Sequence, residues 1–77
     1  MKEFVEYIAK CLVDLPDKVV VEVRAEEENK VVFALKVEPN DIGKIIGKKG
    51  RTAVAIRTLL TAVAAKEGKR AFLEIID

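Results

Sequence analysis

The chain contains no histidine, tryptophan, serine or glutamine, and only one cysteine in 77 residues. Without serine or histidine, neither a Ser-His-Asp nor a Cys-His nucleophile can be assembled. Cys11 has no partner for an internal disulfide, and a single thiol without histidine is a poor start for a zinc site. No stretch approaches the roughly 18 apolar residues of a membrane span. The opening Met1-Lys2-Glu3-Phe4-Val5-Glu6 places acids where a secretory signal is basic and then apolar. A cytoplasmic protein with no membrane contact is therefore expected. Four glycines and two prolines exclude a collagen-like or disordered chain, while 51% hydrophobic and 35% charged residues describe a folded one. A chain of this length buries only about 60% of its unfolded surface, which leaves room for one domain but little for a deep catalytic cleft. The expectation is a single domain over residues 1–77, not an enzyme, with no metal, cofactor or small-molecule substrate.

The periodicity of the apolar residues divides the chain into six elements. Residues 2–15 place Phe4, Ile8, Cys11, Leu12 and Leu15 at helical steps, and Pro16 stops the helix. From Lys18 the period becomes two: Val19, Val21, Val23 and Ala25 alternate with Val20, Glu22, Arg24 and Glu26. Glu28-Asn29-Lys30 forms a polar turn, and Val31, Phe33, Leu35 and Val37 then alternate through a second strand, giving an antiparallel hairpin. Asn40 or Asp41 is suited to cap a short helix over Ile42 to Ile46. A longer helix runs from Arg51 to Lys66 with Gly68 as its stop, and Arg70 to Ile76 is the third strand. The order is α-β-β-α-α-β. If the third strand lies parallel to the second, the helices between them form the crossover. The predicted fold class is α+β: a mixed three-stranded sheet covered on one face by three helices.

The net charge of +1 conceals an uneven distribution. Residues 1–40 carry 6 basic and 9 acidic side chains, whereas residues 41–70 carry 8 basic and 2 acidic ones. An anionic partner meets the local field and not the sum. The bases surround one turn, Gly47-Lys48-Lys49-Gly50, which leads straight into a helix. Two glycines three positions apart let the backbone approach a ligand closely, and the free N–H groups of the helix start attract phosphate. Lys48, Lys49 and Arg51 add cations, so the segment is built to grip a phosphodiester backbone. Other phosphate loops fail on spacing: five positions after Gly43 stands Lys48 where a Walker A loop needs glycine, and no Gly-x-Gly occurs.

In context, Ile42-Gly43-x-x-Ile46-Gly47-x-x-Gly50 between two helices of a β-α-α-β core resembles the KH domain, an RNA-binding module, in its type II arrangement. Length and the stretch Gly47 to Leu60 narrow the resemblance to the KhpA family of small bacterial single-KH proteins, over essentially the whole chain. Ala53 departs from the general pattern, where many KH domains carry isoleucine; Ile56 and Leu60 are expected to supply the core contact instead. The resemblance implies a groove for about four single-stranded nucleotides. Gly43, Lys44 and Ile46 would line its entrance, and Gly47, Lys48, Lys49 and Gly50 would hold phosphates. Arg51 and Thr52 would continue the wall, with Lys69 and Arg70 facing it from the far side. It also implies an RNA chaperone or post-transcriptional regulator acting with a KhpB-like partner and linked to cell length and peptidoglycan homeostasis. Because Phe4, Tyr7 and Phe33 lie in the acidic first half, leaving Phe72 alone near the groove, affinity should rest on phosphate and apolar contacts. Phe72 itself stands as either a base contact or an edge-packing residue.

The helix 51–66 presents a second feature. Opposite its inward stripe of Ala53, Ile56, Leu60, Val63 and Ala64 lie Val54, Thr58, Thr61, Ala62 and Ala65, with no charge among them. High helix propensity explains such a face, and so does a protein contact, either a two-fold homodimer or a KhpB-like heterodimer. A protein-interaction module that has lost RNA binding is the alternative function, although intact Lys48 and Lys49 argue against it. Carboxylate-based catalysis has no candidate, since the acids cluster on the first helix and at the hairpin turn.

Overall fold

The computed structural model describes residues 1–76. Its elements are α1 (Lys2–Leu12), β1 (Val20–Glu26), β2 (Lys30–Lys36), α2 (Ile42–Ile46), α3 (Arg51–Lys66) and β3 (Arg70–Ile76), with single 3-10 turns at Pro16–Lys18, Pro39–Asp41 and Lys48–Gly50. The sheet order is β1-β2-β3; β1 pairs antiparallel with β2, and β2 pairs parallel with β3. This is the α+β fold expected from the sequence: three helices over one face of a mixed three-stranded sheet. Val31, Phe33 and Leu35 of the central strand point into the core beside Val21 and Leu73, and the helices close it with Val5, Ala9, Ile45, Ile56 and Leu60.

The first helix differs from its sequence reading. It ends at Leu12, because Pro16 requires an extended residue before it and the chain has already left helical geometry at Val13 (φ −97°, ψ 159°). Its buried line is Val5, Ala9 and Val13, flanked by Phe4, Ile8 and Leu12, while Cys11 and Leu15 are exposed. Two adjacent rows of this helix are apolar, and docking buries the Val5-Ala9-Val13 row more deeply than the Phe4-Ile8-Leu12 row. In β1 the helical cover reaches only Val21. Val23 stands opposite buried Phe33 yet is 45% exposed on an edge strand, and the register shifts between Val23 and Ala25.

Asp41 precedes α2 as the sequence suggests, but its side chain makes no capping bond. The carboxylate turns inward, 3% exposed, where it accepts from the Leu15 backbone N–H (3.1 Å) and from Lys44 Nζ (3.4 Å). Glu38 does the local capping instead, accepting from the Asn40 N–H at 2.7 Å. At the other end of the crossover, Gly68 (φ 71°) closes α3 as predicted. Its N–H donates to Ala65 and that of Lys69 donates to Ala64, the paired bonds of a Schellman stop. That stop turns the chain so that β3 returns alongside α3 in the opposite direction.

Candidate nucleic-acid interface

The turn between α2 and α3 depends on left-handed backbone. Gly47 (φ 77°, ψ 172°), Lys49 (φ 58°, ψ 26°) and Gly50 (φ 74°, ψ 9°) all have positive φ. Gly47 N–H donates to the Gly43 carbonyl at 2.8 Å and Gly50 N–H to the Gly47 carbonyl at 3.1 Å, so the loop is closed by its own backbone. A Cβ on Gly47 would run into the Thr52 side chain and lie 2.9 Å from the Thr52 nitrogen. Thr52 therefore braces the loop. A Cβ on Gly50 or Gly43 would meet nothing within 4 Å. Lys49, at the loop tip, holds a conformation that costs a non-glycine residue about 1–2 kcal/mol. Lys48, Lys49 and Arg51 are exposed and make no salt bridge among the described residues.

Beside the loop lies a cleft of about 460 Å³ lined by Ile46, Lys49, Gly50, Ala53, Val54, Arg57 and Ile75. Ala53 forms part of its buried floor, and Ile56 and Leu60 fill the core behind, as the small residue at 53 led us to expect. Gly43 lies one turn before Ile46 on the same side of α2 but is not among the residues that line the cleft. Arg57 marks the far end: its Nε and a terminal nitrogen donate to the Leu73 carbonyl at 3.3 and 3.1 Å, clamping α3 to β3.

Two of the sequence-predicted groups lie elsewhere. Lys44 turns away from the cleft and pairs with Asp14 at 2.9 Å and with Asp41. The hydrogen bond to Asp14, and then the charges of both carboxylates, hold its ammonium above the ordinary lysine range. Lys69 and Arg70 are not across from the loop. They stand at the start of β3, beside the C-terminal end of a helix about 24 Å long. There they line a second cleft of about 430 Å³ with Thr61, Ala65, Ala71 and Phe72, farther along the seam between α3 and β3, and Lys69 pairs with Glu26 at 3.7 Å. The wall facing α3 across the first cleft is instead Ile75 of β3, with Arg57 of α3 closing the far end, and the sequence reading assigned neither to the site. The three- and four-residue steps from Gly50 through Ala53 and Val54 to Arg57 carried the signal. Finding it required knowing that β3 runs back along α3.

Between exposed Arg51 and Lys66 at its ends, the outward face of α3 is as uncharged as the sequence indicates. Val54 is 61% exposed, and Ala55, Thr58, Leu59, Thr61, Ala62 and Ala65 are exposed with it. The Thr58 hydroxyl donates to the Val54 carbonyl and that of Thr61 to the Arg57 carbonyl (2.9 and 2.8 Å). Both hydroxyls are thus satisfied within the helix, which leaves the face less polar than its composition. No helix among the described residues is long and apolar enough to cross a membrane.

Comparison with known proteins agrees with this geometry. A family model described as the KhpA/KhpB KH domain matches residues 2–75. Relatives named RNA-binding protein KhpA are similar along their whole length. The one from Clostridium acetobutylicum is 54% identical over 76 residues, covering 99% of this chain and 100% of the relative. That from Clostridium perfringens is 56% identical, covering 99% and 100%, and that from Aquifex aeolicus 52%, covering 100% and 96%. Among solved structures, Era from Aquifex aeolicus superposes with a TM-score of 0.64 at 24% identity, over 96% of this chain and 28% of that longer one, a likeness of fold alone. The family match across residues 2–75 and the end-to-end similarity of these relatives, together with the Gly47–Gly50 turn set between α2 and α3, make this chain a member of the KhpA/KhpB family of KH domains.

Proposed function

We propose that this protein binds single-stranded RNA, without catalysis, through the Gly47–Gly50 loop and the cleft beside it. The observation that carries the reading is the loop itself. Two lysines and an arginine, without acidic partners among the described residues, stand at the mouth of a partly apolar cleft, beside two glycines whose Cβ positions are open space. Backbone N–H groups and mobile cations grip phosphates, while Ile46, Ala53, Val54 and Ile75 offer the bases an apolar wall. The names of its relatives support RNA as the ligand. The cellular role that goes with this reading is RNA chaperoning or post-transcriptional regulation in the cytoplasm, affecting cell length and peptidoglycan homeostasis. The test is the double variant K48D/K49D, compared with the wild type in RNA mobility shift. We expect RNA affinity to fall at least about tenfold, since two phosphate contacts are replaced by repulsion, with an unchanged circular dichroism spectrum. Equal affinity of the two proteins rejects the site.

The uncharged face of α3 favours a second activity of the same chain, self-association or pairing with a KhpB-like protein. Small residues there let two helices cross closely. Ala62 tests this without touching the cleft, whereas Val54 belongs to both surfaces. A62E should convert a light-scattering dimer into a monomer with its RNA-binding cleft intact. A wild type that is monomeric at high micromolar concentration, and that draws no KhpB-like partner from cells, rejects it.

A further inference from the structure

The cleft beside the loop does not end the path along α3. Gly50, Ala53, Val54 and Arg57 line the first cleft, and Thr61 and Ala65 line the second. Arg57 stands one turn beyond both Ala53 and Val54, and Thr61 and Ala65 follow at further turns, so these five positions occupy one flank of α3, with Gly50 just before its start. β3 supplies the facing wall throughout: Ile75 opposite the loop, the Leu73 carbonyl under Arg57, then Ala71 and Phe72. The two clefts are thus basins of one trough, with Arg57 as the saddle between them. The lining of the second basin includes two cations, Lys69 and Arg70, and no acid. It also holds Phe72, 48% exposed, with Lys30 Nζ 5.4 Å from its ring centroid.

The Phe72 ring is half exposed and lies outside the core cluster, which leaves it open to a ligand. One face of the ring lies under Lys30, and a ring polarised by a cation on one side is a stacking platform on the other. Bases stack on such side chains irrespective of sequence. Resting on the RNA-binding reading above, we propose that an RNA strand longer than the groove's own footprint passes over Arg57 into this second basin. There a base stacks on Phe72, and Lys69 or Arg70 meets the adjoining phosphate. The acids at this end, Glu26, Glu27 and Glu28, lie at the hairpin turn, and Glu26 already pairs with Lys69. They offset the local cations, so the gain in the second basin comes mainly from stacking and depends only weakly on salt.

Fluorescence anisotropy with oligouridylates tests this. A tetranucleotide fills the first basin alone, and an octanucleotide reaches the second. F72A should bind the tetramer as the wild type does and the octamer about fivefold or more weakly, the range expected for loss of one stacked base. F72W should restore the octamer affinity. The ratio of wild-type to F72A affinity should stay constant as salt is raised. Each comparison is made at equal RNA length, so the number of binding registers cancels. Equal octamer affinity of wild type and F72A overturns the second basin while leaving the loop site standing. A wild type that binds neither oligomer overturns the RNA reading itself, and this extension with it.

Discussion

Gly43, Gly47 and Gly50 look equivalent in the sequence but answer to different demands. Gly47 serves the fold: its φ and ψ fall where only glycine is comfortable, and a Cβ would strike Thr52. Gly43 serves nothing within the chain. It sits inside α2, where glycine costs about 0.5–1 kcal/mol relative to alanine, and its Cβ position is empty. If RNA binds as proposed, its close approach would account for a residue that weakens its own helix and leaves its Cβ position empty. The two alanine substitutions should therefore behave oppositely. G47A should lower the melting temperature sharply, by about 2 kcal/mol or more of stability, which is roughly 8–16 °C in a domain of this size. G43A should raise it by a few degrees and yet weaken RNA binding. Thermal denaturation beside an RNA titration checks both, and a G43A protein with full affinity removes Gly43 from the binding surface. The spacing of the glycines was legible in the sequence; which glycine serves the fold was not, because that depends on where Thr52 folds back.

Between elements, the same network that removes Lys44 from the cleft joins the segment after α1 to α2. Asp41 accepts from Leu15 N–H, and Lys44 ties Asp41 to Asp14. Leu15 and Asp41 are 26 residues apart, so local periodicity could not reveal the contact, and Asp41 looked like an ordinary helix cap. D41A leaves the Leu15 N–H without its acceptor and should cost about 1–3 kcal/mol, or roughly 4–24 °C in melting temperature. K44A removes the exposed pair with Asp14 and the longer contact with Asp41, but leaves the Asp41 carboxylate its bond from the Leu15 N–H, so it should lower the melting temperature less than D41A does. RNA affinity should follow the geometry as well: K44A weakens it less than K48A, and the reverse order would return Lys44 to the groove. Lys44's raised pKa means that its pairs contribute stability throughout the neutral range, lost only as pH climbs through the value in the folded state. Where local signals sufficed, as in the hairpin alternation and the Gly68 stop, the elements were legible to within a residue or two. The walls of the trough were not, because they arise from β3 docking back along α3.

Across the whole molecule, the question is how a protein of net charge +1 attracts a polyanion. The long axis spans 35 Å, whereas at physiological ionic strength exposed charges are screened beyond about 8 Å. Glu26, Glu27 and Glu28 adjoin the start of β2, which pairs with the start of β3 at Lys30 and Arg70, the end of the sheet beside the C-terminus of α3. The loop stands at the other end of that helix, so those acids barely reduce the potential that Lys48, Lys49 and Arg51 present to RNA. Affinity should then track the local cations. For single strands, the slope of log affinity against log salt is about −0.7 per neutralised phosphate. Three loop cations on a tetranucleotide give a slope of about −2, and K48D/K49D should bring it close to zero. Charge reversal at the hairpin, E27K/E28K, should leave the tetramer slope unchanged even though it raises the net charge by four. A slope that instead follows net charge, steepening in E27K/E28K as much as it flattens in K48D/K49D, would show that the field of the whole protein governs binding. The loop would then lose its standing as the place where the RNA backbone is held.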